Sequence, residues 1–272
     1  MKSILVLMPH YNDLPGLERS LSSIDAKEPV DVLIVDDGSN PEHKPDIDRL
    51  AAQHTAIHSI LFLDNKENRG IAHVLNDGLR FAREQDYRYI ARLDCGDICH
   101  PDRFMIQRKF LDTHEDYFLA GSWVSLVDMH QREVWRFRPA TDYLQIAKNM
   151  PVMNQFCHSA VMFRTEVIDK AGYYPVNREA AEDYAFFFNI VDSNCKTANI
   201  PLFLVTYEIN PNGISVKRNK QQIRSTLAVK REHFQHKPEY YYGYLKHLLK
   251  YILPYRLVIA GKRFLGKALT ES

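Results

Sequence analysis

Tyr89-Ile90-Ala91-Arg92-Leu93-Asp94-Cys95-Gly96-Asp97 is an apolar, strand-like run that ends in two carboxylates. Two acids at the end of a buried strand repel each other and lose hydration unless a cation, a strong donor or a proton holds them. A hard divalent cation such as magnesium or manganese suits oxygen ligands, and magnesium commonly binds one or two carboxylates together with substrate phosphates. Taken by itself, Asp-Cys-Gly-Asp is more often only a turn. What precedes it alters that reading.

The first 93 residues alternate between strand-like and helix-like segments. Ile4-Leu5-Val6-Leu7 is an apolar run that reads as ending at Pro9, and Leu14, Leu17, Leu21 and Ile24 then recur at helical spacing. A second run, Val30 to Val35, stops at Asp36-Asp37-Gly38-Ser39, and Ile47, Leu50 and Ala51 share one helical face. A third strand over Ile57 to Leu63 precedes the helical stripe Val74, Leu75, Gly78, Leu79 and Ala82. Strands that are continuously apolar and alternate with helices predict an α/β fold with a mainly parallel sheet covered on both faces.

Ligands of such sheets bind beyond the carboxyl ends of the strands. Those ends read Pro9-His10-Tyr11-Asn12, Asp36-Asp37-Gly38-Ser39, Asp64-Asn65 leading to Asn68-Arg69-Gly70, and Asp94-Cys95-Gly96-Asp97. Any one of them is an ordinary polar loop; four at one sheet edge predict a cleft. No Gly-x-Gly-x-x-Gly turn follows the first strand and no Gly-Lys-Ser/Thr loop is present, which argues against a Rossmann dinucleotide site and a P-loop.

In order and spacing, Pro9-His10-Tyr11-Asn12, Val35-Asp36-Asp37-Gly38-Ser39, Asn68-Arg69-Gly70-Ile71-Ala72, Arg92-Leu93-Asp94-Cys95-Gly96-Asp97 with Pro101-Asp102-Arg103, and Glu182-Asp183-Tyr184 resemble the family 2 glycosyltransferases of GT-A fold. The resemblance covers residues 1 to about 210. It implies a Rossmann-like mixed sheet flanked by helices, and transfer of a sugar, with inversion, from a nucleotide-diphosphate sugar, UDP-linked above all, to a saccharide or lipid-linked acceptor hydroxyl. Bacterial surface polysaccharide or lipopolysaccharide synthesis is the setting it suggests.

Roles carry over where residues match. Asp37 resembles the acid that accepts a hydrogen bond from the nucleobase, with Pro9 and Tyr11 lining the base pocket. Arg69 resembles the basic residue near the nucleotide, and Asp94 and Asp97 bracket the metal and diphosphate. Asp183 resembles the catalytic base, although acids at a helix start also serve as simple caps. His158 borders the site in relatives and is expected to contact the diphosphate or acceptor, or else to be satisfied internally. The chain departs from the pattern at Gly96, where relatives carry the acid that ligates the metal directly. Manganese or magnesium is therefore expected on Asp97 with help from Asp94, and a metal-independent site is the alternative.

Between the two halves, Trp123, Trp135 and Phe137 fall in a strand-like segment from Ala120 to Arg138, where aromatic faces could stack on a sugar or fill a core. Arg178, in the polar loop before Asp183, is placed to reach phosphate. The expected organisation is a catalytic domain over residues 1–212, divided at 103/104 into nucleotide-sugar and acceptor halves, and a C-terminal helical extension over 213–272. The four cysteines show no Cys-x-x-Cys spacing, so zinc is not expected and free thiols fit a cytoplasmic setting.

The formal charge of +1 hides an asymmetry. From Lys217 onward thirteen Lys or Arg face three Asp or Glu, while Tyr244, Leu245, Leu248, Leu249, Ile252 and Leu253 share a helical stripe. Basic amphipathic helices suit an anionic membrane surface, so the chain is expected to sit peripherally on the inner face of a membrane. Packing on the core, or homodimerisation through the same helices, is the other use of that stripe. Nucleic acid is not expected, because an acidic cleft repels a phosphate backbone. A nucleotidyltransferase and a non-catalytic sugar-nucleotide-binding relative are the other function classes. The first lacks its Gly-rich basic loop, and retention of Asp183 opposes the second.

Overall fold

The computed structural model describes residues 2–24, 27–209 and 219–252. Four parallel strands open the chain: β1 (Lys2–His10), β2 (Asp31–Asp37), β3 (Ser59–Asn65) and β4 (Tyr87–Arg92). Helices α1 (Leu14–Ser22), α2 (Ile47–Gln53) and α3 (Ile71–Glu84) connect them. Asp13 and Asp46 cap α1 and α2 by accepting from Gly16 N and Arg49 N, which satisfies donors that a helix start leaves open.

The first strand runs through Pro9 rather than stopping at it, and Pro9 stands opposite Val35 of β2. On its other side β1 pairs with β4 only as far as Leu7, so the missing N–H of Pro9 interrupts no ladder bond there.

After β4 come the short β5 (Ile98–Cys99), α4 (Arg103–Thr113), the hairpin of β6 (Tyr117–Val127) and β7 (Glu133–Phe137), and α5 (Tyr143–Asn149). The single strand expected from Ala120 to Arg138 is thus two strands. Its turn is fixed by Asp128, whose carboxylate accepts from His130 N and Arg132 N. Then follow β8 (Met162–Arg164), α6 (Val167–Ala171), α7 (Glu182–Asp192) and β9 (Lys196–Glu208). Among the described residues one sheet runs β3-β2-β1-β4-β8-β6-β9-β5, with β7 paired to β6. β8 is antiparallel to β4 and β6, so the mixed, mainly parallel sheet expected from the sequence is the one observed.

Alternate residues of β1 enter opposite cores. Leu5 and Leu7 pack with Val74, Leu75 and Leu79 of α3 and with Phe186 and Phe187 of α7, whereas Ile4, Val6 and Met8 pack with Leu17, Leu21, Phe104 and Leu111 on the other face. Each such side chain contributes on the order of 1.5–3 kcal/mol by leaving water. Arg103 and Gln107 are buried polar ties: Arg103 donates to Arg92 O and Val161 O, and Gln107 Nε2 donates to Ala120 O and Ala160 O. Arg103 of the Pro-Asp-Arg segment therefore ties α4 to β4 and to the residue before β8, and Gln107 ties it to β6.

Two C-terminal helices, α8 (Asn219–Glu232) and α9 (Pro238–Ile252), follow. They dock on α7: the His233 ring stacks on Phe188 at 4.4 Å, and Tyr240 approaches the same Phe188. The docking residues His233 and Tyr240 are not among those of the C-terminal stripe. The exposed side of α9 carries Tyr241, Tyr242, Leu245, Leu249 and Ile252, while Tyr244 and Leu248 are partly covered. The expected turn at Pro211-Asn212-Gly213 and everything after Ile252 lie outside the described residues.

Candidate active site

The order β3-β2-β1-β4 places the reversal of winding between β1 and β4, the point where open α/β sheets form a crevice. Arg92, the last residue of β4, is fully buried. Its guanidinium donates to Leu7 O and to the Asp94 carboxylate, and its Nε donates to His158 Nε2 at 3.3 Å. Asp94 N in turn donates to Ser159 Oγ at 2.8 Å. Sequence reasoning placed Arg92 in a motif without a task; here it aims Asp94 and orders His158. A buried cation at a strand end beside an acid was the available signal.

The Arg92 bond to His158 Nε2 assigns the imidazole proton to Nδ1, and Tyr174 Oη lies 3.0 Å from the same Nε2. Burial, then the Arg92 charge, pull the His158 pKa down to about 3. His158 is therefore neutral, with Nε2 satisfied internally and Nδ1–H left as its only donor.

Asp94 is accessible, with 32% of its side chain exposed, but Asp97 is not. Asp97 is 3% exposed; one carboxylate oxygen accepts from Glu208 N at 3.3 Å and the other is sealed without a partner. Desolvation, followed by the charge of Asp94, pushes the Asp97 carboxyl well above the usual range. At Gly96, φ is +98°, and a Cβ built there would meet nothing within 4 Å. A side chain at that position would point into open space, in a backbone conformation that favours glycine.

These observations bear on the expected metal. Among the described residues no three His, Cys, Asp or Glu side chains gather to hold one. The donor set instead fits a hard divalent ion bound mostly by substrate phosphate oxygens, with Asp94 as the carboxylate within reach and the orphaned Asp97 oxygen behind it. Of the two acids expected at the metal, Asp94 is the more accessible and Asp97 the more buried.

Across the cleft, Asp183 lies in the first turn of α7. Ala181 occupies the N-cap position and makes no side-chain cap bond, while the Asp183 carboxylate accepts from backbone N–H groups of the first turn. Asn154 Nδ2 donates to Asp183 Oδ2 at 3.1 Å, while Asn154 Oδ1 accepts from Phe156 N. Burial raises the Asp183 pKa, the Tyr184 N–H opposes it, and the negative charge of Asp94 raises it further. Glu182 is raised as well, by burial and then by Asp183. The Asp94 charge reaches both acids, so the three carboxylates lie in one neighbourhood. Tyr207, near the end of β9, joins them: after desolvation, Asp97, Asp94, Cys157 and Asp183 all raise its phenol. Nothing in the sequence marked Tyr207 or Asn154.

The β1 and β2 ends form the other wall. Asn12 N donates to Ser39 Oγ at 2.9 Å and Asn40 N donates to Asn12 Oδ1 at 2.8 Å, joining the two loops. Asp37 is buried and accepts from Arg69 N (2.8 Å) and Gly70 N (3.0 Å). It thus fixes the entry of α3; each oxygen keeps a further acceptor direction. Burial, its first cause, leaves the Asp37 pKa raised despite these donors. Arg69 pairs with Asp77. Tyr11 is 51% exposed, and Pro9 O accepts from Cys95 Sγ. Trp123 packs on Phe203 under the Arg138 guanidinium, and Trp135 is exposed.

The model of the family Glycosyl transferase family 2 matches residues 5–172. The amylovoran biosynthesis glycosyltransferase AmsE of Erwinia amylovora is 26% identical over 235 residues, covering 85% of each chain. The Escherichia coli UDP-Glc:alpha-D-GlcNAc-diphosphoundecaprenol beta-1,3-glucosyltransferase WfaP is 23% identical over 260 residues, 92% of this chain and 98% of that protein. Among solved structures, Staphylococcus aureus TarS 1-349 in complex with UDP-GlcNAc superposes with a TM-score of 0.67 at 15% identity, covering 92% of this chain and 73% of that one. The Pyrobaculum calidifontis mannosyltransferase PcManGT, in complex with GDP-Man and Mn2+, gives 0.64 at 18% identity over 90% and 68%. These likenesses show a GT-A fold.

Proposed function

Because the chain belongs to glycosyl transferase family 2 and is a transferase acting on nucleotide sugars, we propose that Asp183 is the base of an inverting transfer from a UDP-sugar to an acceptor hydroxyl. The observation that carries this is the Asp183 carboxylate, half-buried, within reach of the Asp94 charge and held by Asn154. A free sugar hydroxyl is a weak nucleophile at neutral pH, and a positioned carboxylate that takes its proton accelerates attack by roughly 10²–10⁴-fold. Burial tunes Asp183 for this by raising its affinity for that proton. Attack on the anomeric carbon from the side opposite the leaving diphosphate inverts it.

The remaining residues bind and orient. Asp37, Pro9 and Tyr11 receive the nucleobase, with Arg69 near the nucleotide, and Arg92 keeps Asp94 directed at the diphosphate. His158 offers Nδ1–H to the diphosphate or to the acceptor. A divalent ion, manganese or magnesium, held by Asp94 backed by Asp97, would offset the charge of the leaving group. The UDP preference follows the names of WfaP and of the TarS complex. A saccharide or lipid-linked acceptor in bacterial surface polysaccharide synthesis follows those of AmsE and WfaP.

No described helix is long and apolar enough to cross a membrane. The exposed apolar face of α9, in a segment rich in Lys and Arg, supports peripheral attachment to the inner face of a membrane.

The test is Asp183→Asn, which keeps shape but cannot take a proton. Turnover should fall at least 100-fold while UDP binding stays within threefold of the parent. Near-parental turnover removes Asp183 as the base.

A further inference from the structure

The β6–β7 hairpin and the end of β9 carry a row of aromatic side chains that the donor cleft and the base leave unused. Paired residues of neighbouring strands share a sheet face. Trp135 stands opposite Leu126, which stands opposite Tyr207 of β9, and one step along, Phe137, Val124 and Val205 line up in the same way. Phe137, Leu126 and Tyr207 all pack on the small core of Val124, Ala160 and Val205, and the Trp135 ring lies 6.1 Å from that of Phe137.

The row begins at the cleft. Glu208 N, beside Tyr207, donates to Asp97, and Ser159, beside Ala160, accepts from Asp94 N. After the larger effect of burial, the charges of Asp97, Asp94 and Asp183 bear on the Tyr207 phenol. From there the row runs outward to Trp135, which is 58% exposed. A lone exposed aromatic is ordinary on a protein surface, but this one continues a line out of the cleft. Its indole N–H donates to no described residue, whereas Trp123 donates to Pro139 O. Glu133 and Arg136 beside it are exposed and paired with each other. A flat ring, an open donor and charged flanks suit the apolar face and hydroxyl rim of a pyranose better than an apolar protein or lipid surface.

Two strand spacings separate Trp135 from Tyr207, ~10 Å, which is more than one pyranose ring spans. We propose that Trp135 stacks on the second sugar of an acceptor whose first, reacting sugar lies against Tyr207, so that the acceptor holds at least two linked sugars. This rests on the donor cleft and base argued above and adds a minimum acceptor length, with Trp135 as the residue that reads it. A separate sugar transfer must then join those two sugars before this chain acts.

The test uses full-length protein saturated with UDP, so that the donor site is already filled. With Trp123→Phe, Trp135 is the one indole left in the chain. Its emission and its quenching by acrylamide are read while glucose, galactose, mannose, N-acetylglucosamine and disaccharides built from them are titrated. At least one disaccharide should shift the emission to the blue and halve the quenching, and no monosaccharide should do either. Independently, in a chain that keeps Trp123, Trp135→Ala should weaken that disaccharide at least tenfold by calorimetry and Trp135→Phe less than threefold, with UDP affinity and melting temperature within error. No response to any disaccharide, a monosaccharide that binds as tightly, or unchanged affinity in Trp135→Ala overturns the subsite. A blue shift produced by phosphatidylglycerol vesicles alone also overturns it, by giving the ring to a membrane. Failure of UDP itself to bind would instead remove the donor reading, so the two fail separately.

Discussion

At the residue scale, the acid proposed as the base is held by a neighbour that nothing in the sequence marked. Asn154 donates to Asp183, which favours the charged carboxylate, while burial and Asp94 oppose it. A carboxyl with a raised pKa is protonated, and so useless as a base, to a higher pH than usual. Activity should therefore fall as pH drops through a limb lying above the ordinary aspartate value of about 3.9. Asn154→Leu removes the donor and should move that limb up by about one pH unit, with turnover falling and UDP affinity unchanged. A pH–rate profile of the variant superimposable on the parent's would show that Asn154 does not act through Asp183. Metal dependence belongs to the same scale. Chelation should lower turnover at least tenfold, and manganese should restore it in the parent but poorly in Asp94→Asn. Full activity in excess chelator would make Gly96 the mark of a metal-independent site.

At the element scale, the parallel half of the sheet and its helices were legible because each strand is continuously apolar and each stripe helical. Strand ends were less so: Pro9 lies inside β1 because its neighbour β4 has already ended, a tertiary fact with no local trace. The site divided in the same way. Motif acids sat where loops at one sheet edge had to be, but burial of Asp97 depends on β9 arriving over it, through Glu208 N. The C-terminal helices were legible as amphipathic but not as to which face was covered. They brace Asp183, the proposed base, indirectly. Lys230, on α8, donates to Pro151 O, and Tyr184, on α7, donates to Met150 O, so both hold the loop that carries Asn154. Burial, then Lys246 and Lys250, lower the Lys230 pKa to about 7. At Gly243 α9 crosses this loop so closely that a Cβ would run into Pro151 O, a backbone atom that cannot swing aside. Gly243→Val should therefore cost about 1–3 kcal/mol by overpacking and lower turnover more than UDP affinity. A melting temperature unchanged from the parent would show that α9 does not press on this loop.

At the scale of the whole molecule, charge and apolar surface are distributed unequally. The chain from Lys217 onward holds thirteen of the 35 Lys and Arg but only three of the 34 Asp and Glu. Tyr241, Tyr242, Leu245, Leu249 and Ile252 lie exposed along one helix in that segment. Each Lys or Arg near an anionic surface contributes roughly 1 kcal/mol, a contribution that salt screens. Inserted apolar side chains supply the part that salt does not remove. The protein should therefore pellet with phosphatidylglycerol vesicles at low salt, pellet less with neutral ones, and be partly released by 0.5 M salt. Deleting α9 is a poor test, because Tyr240 covers Phe188 and its loss would uncover the core. Leu245→Gln/Leu249→Gln/Ile252→Gln leaves that contact in place. It should abolish the salt-resistant fraction while preserving the fold and turnover of a soluble acceptor. If the parent protein instead ignores anionic vesicles and sediments as a dimer that the triple variant dissolves, the exposed face of α9 belongs to a second copy of the chain.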